Sequence, residues 1–120
     1  MRALILALCL GLCSAALLPS QAAAQERTFD QVIAEALRAY NEGNYDKALD
    51  LYFEAKVAQD LAEIDYSIAR CYHNLNQCEQ AKKFYDKALS RLAELPDGFD
   101  AKINEKLASL PTTCVEEPAV

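Results

Sequence analysis

The sequence predicts an all-α fold, a short α-solenoid of two helical hairpins followed by a C-terminal capping helix. Three observations favour it: apolar residues recur at helical spacing through five segments, no segment alternates with period two, and small residues recur 33 positions apart. The chain has 120 residues, of which 52% are hydrophobic and 25% charged. These values suit one small globular domain and exclude a wholly disordered chain.

The first 24 residues are predicted to be a cleaved signal peptide. Arg2 gives a positive start, residues 3–18 form an uncharged apolar run, and Ala22 and Ala24 supply the small residues that precede a cleavage site. We expect cleavage after Ala24, with Ala22 as the alternative, because the apolar run is somewhat short for an uncleaved membrane anchor. The remaining domain would then lie in the periplasm or outside the cell, in an oxidising space and without membrane insertion.

Five amphipathic segments follow, and each is expected to form a helix with one apolar face. The predicted helices cover about residues 29–42, 45–58, 61–75, 78–94 and 99–110. Thr28 is expected to cap the first helix, and Gly43 suits its C-terminal end. A Pro-Asp-Gly turn precedes the fifth helix, Pro111 closes it, and residues 112–120 are expected to be a flexible tail.

Two stretches of the chain are alike at an interval of 33 residues. Ala48 and Ala55 align with Ala81 and Ala88, and the residues between them have similar character. Paired helices that recur at this interval are typical of helical solenoids. Because alanine has nothing beyond Cβ, helix backbones can approach closely at these positions, and a larger side chain would overpack the crossing by ~1–3 kcal/mol.

These positions resemble a tetratricopeptide repeat, whose pattern runs W-x2-L-G-x2-Y, then A-x3-F, then a further Ala and a closing Pro. In the second repeat Ile68, Ala69 and Tyr72 take the L-G-x2-Y positions, and Ala81 and Tyr85 take the A-x3-F positions.

The chain departs from this pattern at several positions. Val32 and Asp65 stand in place of the Trp, and neither repeat has its closing Pro in place. The first repeat matches well only in its second helix, and its matching positions are Ala36, Ala48, Tyr52 and Ala55. The resemblance implies a domain over residues 25–111, with repeats over about 29–61 and 62–95 and a capping helix over about 99–110.

The resemblance also implies a function, because the first helix of each such pair lines a concave groove. Positions i, i+4 and i+7 share one helix face, so spacing selects the groove residues. They are Ile33, Leu37, Tyr40, Asn41, Tyr66, Arg70, His73 and Asn74. Apolar area combined with two Tyr and one Arg is typical of binding hot spots, so we expect a peptide segment or an envelope-complex partner to bind there. The alternatives are a structural, self-associating homo-oligomer and a groove covered by residues 25–30.

Cysteines 71, 78 and 114 remain after the predicted cleavage. Cys78 opens the fourth helix and Cys114 follows the fifth, so successive antiparallel helices would place both at one end of the molecule. We predict a Cys78–Cys114 disulfide, which would stabilise the fold by ~2–4 kcal/mol. Cys71 is expected to pack as a small buried hydrophobe. A Cys71–Cys114 pair and an intermolecular bond remain alternatives.

Catalytic and metal-binding patterns are missing from the sequence. There is no Gly-rich phosphate loop, no G-x-S-x-G and no H-E-x-x-H, and three scattered thiols with one histidine are too few for a zinc site. We therefore expect a protein that is not an enzyme and that holds no metal or cofactor. The net charge of −6 also argues against binding to nucleic acid or to an anionic membrane surface.

Charged residues outside the groove are expected to be solvated. The acidic pairs are Glu63 with Asp65 and Glu116 with Glu117. The basic residues Lys83, Lys87 and Arg91 recur every four positions on the fourth helix, as a solvated stripe or as a docking site for an acidic partner.

Overall fold

The structure is a computed structural model that describes residues 26–111 and Cys114, and within this part the chain is all-α. Residues 26–111 form five α-helices, which are α1 (Phe29–Asn41), α2 (Tyr45–Ala58), α3 (Ala62–Asn74), α4 (Cys78–Leu89) and α5 (Phe99–Ala108). A 3-10 helix (Leu92–Glu94) lies between α4 and α5, and no strand occurs in the described part. The predicted signal peptide and, apart from Cys114, the predicted tail lie outside the described residues.

Local sequence explains where α1 begins. The Thr28 hydroxyl accepts a hydrogen bond from the Gln31 amide (3.3 Å), and the Thr28 amide donates to the Gln31 side-chain oxygen (2.9 Å). This reciprocal pair satisfies two amides that the helix leaves free at its start. The prediction that Thr28 caps α1 is therefore confirmed.

The turns after α1 and α3 repeat each other 33 residues apart. Gly43 and Asn76 both have left-handed backbones, with φ of 78° and 58°. In each turn the next amide donates back to a carbonyl near the helix end, Asn44 to Ala39 and Gln77 to Tyr72, both at 2.9 Å. Glycine and asparagine tolerate this conformation best, so the repeat in sequence is also a repeat in backbone geometry.

Successive helices pack against each other as antiparallel pairs joined by short turns. The small residues predicted at the helix crossings are at most 1% exposed, and they are Ala36, Ala48, Ala55, Ala69, Ala81 and Ala88. Their burial lets the helix backbones approach closely, as the sequence pattern predicts.

Helix α5 covers the end of the stack that follows α4. Ile103 is fully buried and Leu110 nearly so, in a core cluster with Tyr85 and Leu95. The apolar surface that the second hairpin would otherwise expose is therefore covered, which is the role expected of the capping helix.

The cysteines are arranged as predicted. Cys78 and Cys114 are paired, with Cα atoms 5.6 Å apart, so the start of α4 is linked to the segment after α5. Cys71 is free and fully buried. Burial raises the pKa of the Cys71 thiol to about 12, which keeps it protonated and unreactive.

Helix α4 is shorter than predicted, because it ends at Leu89 and not near residue 94. Ser90 ends the helix, and its hydroxyl donates to the Lys87 carbonyl (2.6 Å). The next residue, Arg91, leaves the helix with φ of −123°, and its guanidinium donates to Asp60 in the turn between α2 and α3 and to Asp65 on α3. This interaction draws the chain away from the helical path that its apolar spacing predicts.

The prediction that Asp65 is a solvated charge is wrong. Its side chain is fully buried, while Glu63 is exposed as expected. Lys56 Nζ lies 2.8 Å from one carboxylate oxygen and Arg91 lies 3.1 Å from the other. Two cations thus compensate the buried carboxylate, and Arg91 belongs to this cluster and not to a solvated basic stripe.

Candidate functional site

Helices α1, α3 and α5 lie side by side and run in the same direction, and we call the surface they form the inner face. Near the start of α3, Tyr66 packs against Phe99 of α5, with ring centroids 5.3 Å apart. Near its end, His73 and Lys106 of α5 line one cavity. On the other side, Asn74 of α3 donates to the Tyr40 hydroxyl of α1 (3.0 Å).

The inner face holds a small polar cavity near the C-terminal ends of these helices, which we call the polar pocket. Its volume is about 130 Å³, and its lining comes from α1, α3, α4 and α5. The lining residues are Tyr40, Arg70, His73, Asn74, Tyr85 and Lys106.

Arg70 is held in the polar pocket by aromatic rings. Its guanidinium carbon lies 4.3 Å from the centre of the Tyr40 ring and 5.7 Å from that of Tyr66. Such stacking attracts the cation through the ring quadrupole and fixes the plane of the guanidinium. Among residues 26–111, no carboxylate lies within ion-pair distance of Arg70 or of Lys106.

Asn74 orients the Tyr40 hydroxyl. Both side-chain amide hydrogens of Asn74 are used, one on the Tyr40 hydroxyl and one on the Arg70 carbonyl (2.8 Å). Because the Tyr40 oxygen already accepts from Asn74, its own hydrogen is available to a ligand. The pocket therefore offers donors from Arg70, Lys106 and Tyr40.

His73 and Tyr85 form the floor of the polar pocket. His73 Nδ1 lies 3.0 Å from the Tyr85 hydroxyl, within hydrogen-bond distance. Burial lowers the pKa of His73 below 6.5, and the positive charge of Lys106 lowers it further. Burial also raises the pKa of Tyr85. Both side chains are therefore neutral at neutral pH, and the charge of the pocket comes from Arg70 and Lys106.

A second cavity lies toward the N-terminal ends of α1 and α3, and we call it the apolar pocket. Its volume is about 240 Å³, and it is lined by Phe29, Ile33, Leu37, Tyr52, Leu61, Glu63, Ile64 and Ser67. Leu37 and Leu61 are 48% and 42% exposed, which is high for large apolar side chains. The inner face thus combines an apolar pocket with a polar one.

The predicted groove residues divide between the two pockets. Ile33 and Leu37 line the apolar pocket, and Tyr40, Arg70, His73 and Asn74 line the polar pocket. Tyr66 lies beside the polar pocket under Arg70, and Asn41 is exposed and lines neither pocket.

Sequence reasoning missed several lining residues, and Lys106 is the most important of them. The interval that relates Ala48 to Ala81 also relates His73 to Lys106, so extending the repeat into α5 would have found it. Nothing in the sequence marks Ile64 and Tyr52 as pocket residues, because they occupy positions of the helical pattern that ordinary core residues occupy.

The described residues show neither a metal site nor a membrane-spanning helix. Residues 26–111 and Cys114 contain no group of three or more His, Cys, Asp or Glu side chains that could hold a metal ion. In the same residues, no helix has the length and apolar character needed to cross a bilayer.

Comparisons with known proteins give the chain no relative. No family model, no curated protein and no solved structure matches it. The geometry of the inner face therefore carries the functional argument.

Proposed function

We propose that this chain is a secreted or periplasmic protein-interaction module with tetratricopeptide-like repeats, and that it binds a segment of a partner protein on the inner face. The observation that carries the proposal is the pair of pockets, because they place exposed Leu37 and an arginine that has no acidic partner among residues 26–111 on one surface. Exposed apolar side chains beside aromatic and Arg residues are typical of protein-binding surfaces.

The covalent structure supports the proposed location. A disulfide such as Cys78–Cys114 persists in an oxidising compartment and is rare in the cytosol. The apolar run and small residues at the N-terminus of the sequence favour export in the same way.

The outer side of α5 favours a monomer over a self-associating stack. Asp100, Lys102 and Glu105 are exposed on this last helix. Stacking another copy there would remove these charges from water, which is costly unless they are paired. Sedimentation at micromolar concentration should therefore give the mass of a single chain, and a stable larger species would favour the structural function instead.

Affinity capture from the native envelope, followed by mass spectrometry, tests the proposal. We expect Arg70→Ala and Leu37→Ala each to reduce the captured partner at least tenfold. Two matched controls, Arg38→Ala and Leu92→Ala, replace exposed residues of the same types that line neither pocket and should capture it normally. Capture that survives the combined Arg70→Ala and Leu37→Ala change would overturn binding on the inner face.

A further inference from the structure

We infer that the bound segment is extended and carries an aliphatic and an acidic side chain three or four residues apart. The aliphatic side chain would fill the apolar pocket, and the carboxylate would enter the polar pocket. This inference rests on the proposed function and adds the chemistry and the spacing of the ligand.

The polar pocket selects a carboxylate because its lining is rich in donors and carries positive charge. Arg70 and Lys106 have no acidic partner among residues 26–111, although the chain has a net charge of −6. The Arg70 guanidinium carbon lies 4.3 Å from the centre of the Tyr40 ring, and a guanidinium held there can donate two parallel hydrogen bonds to one carboxylate. A cavity of about 130 Å³ suits a carboxylate better than a large side chain.

The apolar pocket selects an aliphatic side chain. Phe29, Ile33, Leu37, Tyr52 and Ile64 supply most of its lining, and Glu63 lies at its exposed rim. A charged ligand group placed among these side chains would lose its water without gaining a partner. An aliphatic group would instead bury apolar surface on both sides of the contact.

The spacing follows from the positions of the two pockets along the helices. On α3 the apolar pocket is lined near Ile64 and Ser67, and the polar pocket near Arg70, His73 and Asn74. The centres of these groups are about seven residues apart, which is about 10 Å at a helical rise of about 1.5 Å per residue. An extended peptide advances about 3.3 Å per residue, so three or four residues bridge the two pockets.

The shape of the surface favours an extended ligand over a helical one. A bound helix needs a continuous apolar groove for side chains at i, i+3, i+4 and i+7. Here the apolar pocket ends where the polar lining of Tyr40, Arg70 and Asn74 begins. A helical ligand would also need its two anchors about seven residues apart, because it advances only about 1.5 Å per residue.

Synthetic peptides test the spacing directly. Each peptide has one Leu and one Glu in a Gly-Ser background, at separations from one to eight residues and in both orders. Titrations of the oxidised chain are followed through the NMR signals of Leu37, Arg70 and His73. We expect the affinity to peak at a separation of three or four, about tenfold above separations of one or seven. A peak at seven, or no dependence on separation, would overturn the inference.

Substitutions on the protein test which pocket takes which group. Arg70→Ala should abolish the preference for Glu over Gln and keep the preference for Leu over Ser. Leu37→Ala should do the reverse, and Arg38→Ala should change neither. One outcome is that capture of the native partner depends on Arg70 and Leu37 while the affinity of the peptides does not depend on the Leu–Glu separation. In that case the inference about the ligand fails and the proposed function stands. If capture ignores both residues, the proposed function fails.

We assign the carboxylate to the partner, and the competing source that the test must separate is Glu116 and Glu117 of this chain, which follow Cys114 in the sequence. The double change Glu116→Gln and Glu117→Gln separates these sources. Tighter peptide binding by this variant would show that the chain's own carboxylates compete for the polar pocket. Unchanged binding would assign the pocket to the carboxylate of the partner.

Discussion

Helix α3 carries a charged side chain near each end, Asp65 and Arg70, and the two differ in burial and in their charged partners. In its first turn Asp65 is fully buried, and both of its carboxylate oxygens are matched by cations, Lys56 and Arg91. Near its other end Arg70 is half-buried and stacked on Tyr40, yet no carboxylate of residues 26–111 reaches it. The charge of Asp65 is compensated within the fold, whereas the charge of Arg70 has no counter-ion among residues 26–111 and is the one on which the proposed binding site depends.

The difference suggests a criterion: a charged side chain with counter-ions inside the fold stabilises the structure, whereas one without them is a candidate for ligand binding. The cluster at the start of α3 also includes Asp60, and hydrogen bonds from Lys56 and then Arg91 lower the pKa of its carboxyl to about 2. Glu94 also pairs with Arg91, so both cations of the cluster have carboxylate partners within the fold and neither is left uncompensated. At the end of α3, Arg70 and Lys106 leave two positive charges uncompensated within the described residues, which is what an anion-binding site requires.

The largest expected effect is the loss of the buried carboxylate. Asp65→Ala would leave Lys56 and Arg91 without their buried partner, so we expect the free energy of unfolding to fall by about 3 kcal/mol. Urea denaturation followed by circular dichroism measures this change. Glu63→Ala removes an exposed carboxylate two residues before Asp65 that makes no ion pair in the cluster; it is the control and should change stability by less than about 0.5 kcal/mol.

A triple substitution of Asp65, Lys56 and Arg91 tests whether the loss of stability comes from the unpaired cations. The residue 33 positions before Asp65 is Val32, which is buried without any ion pair. Replacing Asp65 by Val together with Lys56→Met and Arg91→Met should restore most of the lost stability, because apolar groups can substitute for a whole buried ion cluster. An Asp65→Ala protein as stable as the original would mean that the carboxylate is not structural.

The second effect concerns α5, which supplies Lys106 to the polar pocket and nothing to the Asp65 cluster. The Cys78–Cys114 disulfide links the start of α4 to the segment after α5. Replacing both cysteines by Ser should lower the free energy of unfolding by about 2–4 kcal/mol. Binding on the inner face should weaken with it, because α5 is then held by packing alone. In the unsubstituted chain without residues 1–24, the intact mass after alkylation under denaturing conditions should show one free thiol, and three free thiols would refute the disulfide.

The sequence was sufficient to predict the helical hairpins, since their determinants are local. Thr28 and Gly43 mark helix ends through their own backbone and side-chain chemistry, and Ala48 and Ala81 repeat at a fixed interval. Antiparallel succession places Cys78 and Cys114 at one end of the molecule, which favours this pair, and the structure selects it over Cys71–Cys114.

The sequence could not predict interactions between residues far apart in the chain. Asp65 meets Arg91, 26 residues away, and this contact both buries the carboxylate and ends α4 early. An acidic residue in an amphipathic helix is usually solvated, and nothing near Asp65 in sequence says otherwise. Lys106 was missed for a related reason, because its place in the polar pocket depends on α5 running beside α3.

A third, smaller effect tests whether Arg70 is needed for folding. Arg70→Met keeps the apolar stem that packs on Tyr40 and removes only the charge. We expect a loss of stability of about 1 kcal/mol, the scale of one partly exposed cation–π contact. Binding of an acidic peptide should be lost in the same variant. A loss as large as that of Asp65→Ala would show that Arg70 is structural and would remove the contrast between the two ends of α3.

The smallest effect reports the uncompensated charge itself. His73 is the chain's single histidine, so its NMR titration can be followed without ambiguity. Its pKa is lowered first by burial and then by Lys106, so Lys106→Gln should raise the pKa of His73 while leaving it below 6.5. Lys102→Gln, one turn earlier on α5 and exposed, is the control and should not shift it.

Lys106→Gln should also change how the free energy of unfolding depends on pH. Because the pKa of His73 is lower in the folded than in the unfolded chain, the unfolded chain binds more protons below pH 6.5, and stability falls on acidification through that range. Lys106→Gln should make that fall shallower, which urea denaturation at pH 7.5 and pH 5.5 can measure. An unchanged pKa would mean that Lys106 does not face His73, and the polar pocket would then have one cation and no longer two. The end of α3 would still differ from its start, but through Arg70 alone.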